Sequence, residues 1–185
     1  MSAPSRSPPE MRVVAGELGG RRIAAPKGES IRPTTDRVRE AVFAILGELT
    51  ASASILDLYT GTGAVAIEAL SRGAARATLV DVDPRPAEEN VAALDLGDRS
   101  TVVRADALRF LRGDDDRYDL VYCDPPYRLA RRIASDIEEL FPPRLRDGGR
   151  VIVESAASDP LVLGLPLLDS RDYGQTAIRI HGAPR

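Results

Sequence analysis

Four short stretches of this chain concentrate residues able to do chemistry. The sharpest is Asp124-Pro125-Pro126-Tyr127, which follows an apolar run and sets a carboxylate before two residues that lack a backbone donor. Two prolines stiffen the turn, so the Asp124 carboxylate and the Pro125 carbonyl become acceptors in a fixed arrangement. An amino group attached to an aromatic ring needs such a pair. Its lone pair is delocalised into the ring, and two acceptors drawing on its N–H bonds localise that pair and make the nitrogen nucleophilic. Tyr127 then offers a face on which a flipped base can stack. Read only structurally, the same four residues are a strand terminator that happens to use Pro-Pro.

The other three stretches also end strand-like runs on an acid. Asp57-Leu58-Tyr59-Thr60-Gly61-Thr62-Gly63 precedes a helix rich in Ala, Val, Ile and Leu. Its glycines allow a tight turn and a close approach to the main chain. Gly61, Gly63 and Ala66 also satisfy the dinucleotide pattern G-x-G-x-x-G/A, so the turn alone is weak information. Asp57, four residues before Gly61, shifts the balance, because a carboxylate suits a cationic or hydrogen-bonding ligand and serves a pyrophosphate poorly. Asp81 stands where a carboxylate accepts from ribose hydroxyls. Asp106, after the third strand-like run, can accept from an exocyclic adenine amine. Singly, each is an ordinary solvated loop aspartate; at consecutive strand ends they suit a nucleoside with a positive charge nearby.

These acids need a scaffold that brings strand ends together. Apolar strand-like runs at 54–59, 78–83, 101–105, 118–124 and 150–154 alternate with helix-like text at 65–72, 85–94, 108–112 and 130–141. Such alternation predicts an α/β fold with a mostly parallel sheet covered on both faces, whose ligands bind beyond the carboxyl ends of the strands. Beyond Pro166 the runs 167–171 and 177–181, joined by Tyr173-Gly174-Gln175, predict a terminal antiparallel pair. Upstream, 11–14 and 21–24 predict a small hairpin turning through Gly16, Gly19 and Gly20. A Pro/Gly linker follows over 26–34, and then a helix from Thr35 with an apolar face of Val38, Ala41, Val42, Ile45, Leu46 and Leu49. The organisation expected is a disordered Ser/Pro-rich lead-in over 1–10, an RNA-contacting extension over 11–49, and the main domain over 50–185. Met11 is an alternative start.

The 185 residues fit one domain of ordinary size with a small appendage, and 43% hydrophobic with 29% charged residues fit a globular chain. No apolar stretch is long enough to span a membrane. A single cysteine, Cys123, and the lack of zinc-ligand spacing exclude a disulfide scaffold and predict no metal, in keeping with a reducing cytoplasm. The one histidine, His181, falls in the last strand-like run and reads as structural. A net charge of −3 rules out nucleic-acid binding by bulk electrostatics, so a nucleic-acid partner must meet a local patch. Between Met11 and Glu40 seven bases face four acids. Arg12, Arg21, Arg22, Arg32, Arg37 and Arg39 are the candidate RNA contacts. Arg37 and Arg39 cannot share one helix face, because two residues turn a helix by about 200°.

The constellation resembles the Asp-Pro-Pro-Tyr amino methyltransferases, and within them the RsmD family. The resemblance rests on Arg12-Val13-Val14-Ala15-Gly16, Gly20-Arg21-Arg22-Ile23, Arg32-Pro33-Thr34-Thr35-Asp36-Arg37-Val38-Arg39-Glu40, Asp57 to Gly63, Glu68-Ala69-Leu70-Ser71-Arg72-Gly73-Ala74 and Asp124 to Tyr127. The Arg-Pro-Thr element with the helix start after it is the discriminating part. The resemblance implies a Rossmann-like, seven-stranded sheet with an antiparallel C-terminal strand. It also implies S-adenosylmethionine as cofactor, and transfer to N2 of a guanine in 16S ribosomal RNA, within a small ribosomal subunit or its precursor. It places Asp57, Tyr59, Gly61, Gly63, Asp81, Asp106 and Asp124 around the cofactor, with Asp124, Pro125 and Tyr127 holding the base. Phe43 is followed here by Ala44 where many relatives carry Asn, so any contact of that amide is absent. A monomer is expected, since no sequence feature demands an interface.

Three rival readings remain from the residues. A nicotinamide dehydrogenase would use the same glycine turn but leaves Asp57 and Asp124 to Tyr127 unexplained. A non-catalytic RNA-binding module leaves Asp124 without a task. A DNA adenine or protein glutamine target would keep the mechanism, because the Asp-Pro-Pro-Tyr turn recognises an amino group rather than one particular base.

Overall fold

The computed structural model describes residues 11–25 and 35–183, with the Tyr127 side chain outside that set. The expected lead-in, the Pro/Gly linker with Arg32, and the stacking face assigned to Tyr127 all lie outside the described residues.

A seven-stranded sheet organises the chain. Its strands are β3 (Ser54–Leu58), β4 (Arg76–Asp81), β5 (Ser100–Arg104), β6 (Tyr118–Cys123), β7 (Leu145–Ala156), β8 (Leu167–Tyr173) and β9 (Thr176–Gly182). They lie in the order β5-β4-β3-β6-β7-β9-β8. The first five pair in parallel, while β9 is antiparallel to both β7 and β8. The strand order reverses between β3 and β6, so a crevice opens beyond the carboxyl ends of those two strands. Both strands are buried along their length, as the unbroken apolar text of a two-sided sheet requires.

Helices cover both faces. α1 (Asp36–Leu46), α2 (Ala64–Ser71) and α3 (Arg85–Ala93) pack with Ile55, Leu79, Tyr122 and Ile152 on one face. On the other, α4 (Ala107–Gly113) and α5 (Tyr127–Leu140) enclose Leu56, Leu58, Val121 and Val153. A two-stranded hairpin, β1 (Met11–Arg12) with β2 (Arg22–Ile23), joins the first of these cores through Met11, Val13 and Ile23. Among the described residues no helix is long and apolar enough to cross a membrane.

Three expectations are corrected. The α1 face that packs is Val38, Arg39, Val42, Phe43 and Leu46, whereas Ile45 and Leu49 are 37% and 47% exposed. The face is rotated toward Arg39 and Phe43, with the Arg39 guanidinium bonded to the Arg12 carbonyl of the hairpin and lying 3.9 Å from the buried Glu68 of α2. β7 starts at Leu145 rather than near 150, because a register irregularity between Tyr118 and Leu120 lets it pair further along β6. α5 starts at Tyr127, directly after the second proline, with Pro126 as its cap. His181 is structural as expected: it is buried, with Nδ1 3.1 Å from the Leu165 carbonyl oxygen.

Candidate active site

Parallel pairing sets the acids side by side. Asp57 is opposite Tyr122 in the ladder and Tyr122 is opposite Ile152, so Asp57, Tyr122, Asp124 and Glu154 project from one face of three adjacent strands. The Tyr122 hydroxyl donates to Glu154 Oε2 at 2.6 Å in a buried pair.

The strand-end carboxylates differ in how the protein uses them. Asp57 is 2% exposed, and its Oδ2 accepts from Thr60 Oγ1 at 2.6 Å and from the Ala66 N–H at 3.2 Å. It therefore ties the glycine turn to the start of α2. Burial is the main cause that pushes its carboxyl up to about 7, and the charges of Asp81 and Glu154 add to it. Asp81 accepts the Gly61 N–H at 3.0 Å through Oδ2 and the Asp83 N–H at 3.0 Å through Oδ1. Asp106 is exposed and caps α4, its Oδ1 accepting the Arg109 N–H at 3.0 Å.

Asp124 is different. Among the described residues its carboxylate receives no hydrogen bond and no ion pair, although burial, followed by the charges of Glu154 and Asp57, raises its carboxyl well above the usual range. The adjacent Pro125 carbonyl likewise accepts nothing among the described residues, while the Pro126 carbonyl is taken by the Leu129 and Ala130 N–H groups of α5 at 2.7 and 3.2 Å. Two neighbouring acceptors are thus held by a stiff turn and left without donors among the described residues. Cys123, just before them, is fully buried, and burial raises its thiol, so it is no nucleophile.

The glycine turn is built for one kind of ligand. Tyr59, Gly61 and Gly63 all have positive φ, at 61°, 55° and 78°. A side chain at Gly63 would stand 3.0 Å from Leu79 Cδ2, so this glycine serves packing of α2 on the sheet. At Gly61 nothing lies within 4 Å of where a Cβ would stand, which leaves that side of the turn open to a ligand. The turn's amides point inward: Thr60 N–H goes to Val80 O, Gly61 N–H to Asp81 and Gly63 N–H to Thr60 O. A pyrophosphate would find these donors already engaged, and acids around it. A cation would meet the donor set it requires.

The hairpin is fastened to this framework by side chains of α2 and α3. Glu68, fully buried, accepts the Val14 and Ala15 N–H groups at 2.7 and 3.0 Å and pairs with Arg72 at 2.7 Å. Ser71 Oγ donates to Ala15 O at 2.5 Å and accepts the Leu18 N–H at 3.0 Å. Asn90 exchanges bonds with Ala24 N and O at 2.8 and 3.1 Å and donates to Thr62 O at 3.0 Å. These three clamps were not assigned a role from sequence. One signal was legible: a lone Glu inside the otherwise apolar α2.

Of the candidate RNA contacts, Arg12, Arg21, Arg22 and Arg37 are exposed. Arg12 also donates to Gly20 O at 3.1 Å within the hairpin. Arg39 is withdrawn from that group. It is 1% exposed, donates to Arg12 O at 2.5 Å and Asp36 Oδ1 at 2.9 Å, and lies 3.9 Å from Glu68 Oε2. A guanidinium so enclosed fixes the hairpin to α1 and cannot reach a phosphate.

Proteins similar to this chain include methyltransferases. Residues 11–182 match the family described as Conserved hypothetical protein 95. Ribosomal RNA small subunit methyltransferase D of Escherichia coli (strain K12) is 33% identical over 93% of this chain and 89% of its own length. The solved structure of the putative methyltransferase yhhF from Escherichia coli superposes with a TM-score of 0.80 at 33% identity, covering 95% of this chain and 98% of that one. The RNA methyltransferase from Salinibacter ruber, solved in complex with S-adenosyl-L-homocysteine, shares the fold at a TM-score of 0.65 and 17% identity, over 83% of this chain and 95% of that one. The seven-stranded sheet is therefore a methyltransferase sheet, and this chain belongs to the RsmD family.

Proposed function

We propose that this protein transfers a methyl group from S-adenosylmethionine to the exocyclic N2 amine of a guanine in small-subunit ribosomal RNA. The observation that carries this reading is the pair of acceptors, the Asp124 carboxylate and the Pro125 carbonyl, unengaged among the described residues and placed at the switch point of a methyltransferase sheet. Family membership supports a ribosomal RNA substrate, through the relatives named above.

The residues fit the cofactor. The open side of Gly61, acids at the ends of β3, β4 and β6, and the absence of an arginine ion-paired to Asp57, Asp81 or Asp124 among the described residues suit a nucleoside carrying positive charge. Bound there, the cofactor supplies an electrophilic methyl group on a cationic sulfur. Asp81 keeps lone pairs for ribose hydroxyls beyond those given to Gly61 and Asp83, and Asp106 keeps one oxygen beyond its helix cap. Asp57 holds the turn that these groups surround.

Asp124 and the Pro125 carbonyl accept the two N–H bonds of the guanine amine, localising its lone pair toward the methyl carbon. No strong base is needed before attack, because nitrogen becomes acidic only once it is alkylated. Asp124 then takes that proton and passes it to water. Its affinity for protons, raised by burial and by the charges of Glu154 and Asp57, suits a group that takes that proton. Alignment supplies most of the rate, with near-attack geometry worth about 7–11 kcal/mol.

The direct test is incubation with labelled S-adenosylmethionine and small ribosomal subunits that lack the modification, with duplex DNA alongside. Mass spectrometry of the labelled nucleoside should find N2-methylguanosine in 16S RNA. Label only in DNA adenine would retain the acceptor mechanism and remove the RNA assignment, and cofactor binding without any label would point to a non-catalytic module.

A further inference from the structure

Helix α5 carries its charges against its own dipole. Arg128, Arg131 and Arg132 occupy its N-terminal half, and Asp136, Glu138 and Glu139 its C-terminal half. The partial charges at helix ends favour the reverse, so this order costs stability unless something else uses it. Part of it is used locally. Arg131 makes two bonds to Asp159 at 2.7 and 2.6 Å, Arg112 of α4 donates to Asp136 at 2.7 Å, and the Gly164 N–H donates to Glu138 at 2.7 Å. Arg128 and Arg132 have no such explanation. Both are exposed, and among the described residues neither makes a hydrogen bond or an ion pair. Spaced one turn apart, they share the helix side opposite the buried Ala130, Ile133 and Ile137.

Their place in the fold supplies the use. α5 begins on the residue after Pro126, so Arg128 lies four residues beyond Asp124 and Arg132 one further turn along. The hairpin packs on the α2 face of the sheet and α5 on the other, with the carboxyl edge carrying Asp124 between them. A strand whose base enters at Asp124 must continue in both directions, and cationic surfaces then lie on both sides of it. An exposed pair of guanidiniums without a partner among the described residues is suited to phosphate, which accepts a planar fork of donors.

We propose that Arg128 and Arg132 form a second phosphate-binding surface, on the face opposite the hairpin, for the RNA strand flanking the nucleotide in the active site. This rests on the reading of the substrate as RNA.

The test compares wild-type protein with the double variant Arg128→Gln/Arg132→Gln, using in-vitro-transcribed 16S RNA as probe. Arg117→Gln/Arg171→Gln removes the same charge elsewhere and serves as control. Loss of two phosphate contacts should weaken RNA binding at least tenfold near physiological salt and lower the slope of log affinity on log salt by about 1.4–1.8. Affinity for S-adenosylmethionine should stay within twofold, and the melting temperature should hold or rise, because two charges opposing the dipole are gone. Unchanged RNA affinity and salt slope, with the wild-type protein methylating RNA, would overturn the surface while leaving the activity standing. An equal loss in the control pair would reduce the effect to net charge and overturn it too. A wild-type protein that binds RNA but methylates none tells against the catalytic reading alone, and the salt slope still decides the surface. Failure of the wild-type protein to bind either free 16S RNA or small ribosomal subunits removes both.

Discussion

Glu68, at the centre of α2, accepts the backbone N–H of Val14 at 2.7 Å across 54 positions of sequence, and by that bond the hairpin becomes part of the methyltransferase body. The same carboxylate answers the buried Arg39 and the partly buried Arg72. Removing it takes away the 2.7 Å partner of Arg72, the carboxylate 3.9 Å from the buried Arg39 and the acceptor of two hairpin N–H groups, a loss of about 3–5 kcal/mol where a buried pair is broken. Glu68→Ala should therefore lower the denaturant midpoint sharply. Glu68→Gln, which keeps one acceptor for the hairpin, should recover part of the stability. Equal midpoints for Glu68→Ala and the wild type would show that the hairpin is held by its apolar contacts alone.

Asp124 lies just past the end of β6 without a donor among the described residues, so its substitution should leave the fold intact while disabling chemistry. Asp124→Ala should lower methyl transfer by two orders of magnitude or more, the range lost with a positioned acid–base group. Cofactor affinity, measured by calorimetry, should change only a few-fold. Wild-type turnover in this variant would remove Asp124 from the mechanism.

How far the sequence reaches depends on how local each determinant is. Asp57, Asp81 and Asp124 were legible because an acid ending an apolar run reports its position at a strand end within a few residues, and the glycine turn identifies which crevice those ends surround. The packing face of α1 was not. Its apolar residues admit two overlapping stripes, and the one that packs carries Arg39 inward to the Arg12 carbonyl of the hairpin and to within 3.9 Å of Glu68, partners that periodicity in α1 cannot register. Arg39 accordingly reads as a surface cation in sequence and is an interior one in the fold. Glu154 shows the same limit. Its strand was recognised, but its bond to Tyr122 and its influence on Asp57 and Asp124 depend on β7 lying beside β6.

The carboxylates crowding Asp57 should make binding of the proposed cofactor pH-dependent. Burial and like charges raise the folded-state carboxyl of Asp57 from 3.8 to about 7. For the free protein the stability from this group is fully present below about pH 4 and is lost as pH rises through about 7, because the folded state then has to bury an uncompensated charge. A cationic sulfonium reverses that penalty by favouring the ionised form. The rise in melting temperature produced by S-adenosylmethionine should thus grow between pH 5.5 and 8. S-adenosylhomocysteine has a neutral sulfur and should show a flatter profile, and Asp57→Asn should flatten the first. Parallel profiles for the two ligands would refute this electrostatic account.

Asn90 links the glycine turn to the hairpin. One side chain, 3% exposed, donates to Thr62 O and completes a two-way exchange with Ala24, so the glycine turn and the segment leaving the hairpin share a single support. Asn90→Ala leaves the Thr62 carbonyl and both Ala24 backbone groups without their partner, at about 1–3 kcal/mol for each buried group that water cannot reach. Because the support is shared, both ligands should feel the change: affinity for S-adenosylmethionine and affinity for 16S RNA should each fall several-fold. Asp124→Ala, by contrast, should leave cofactor affinity nearly intact. A variant that loses RNA affinity while binding the cofactor normally would show that Thr62 is held in place by the turn itself, and that Asn90 serves the hairpin alone.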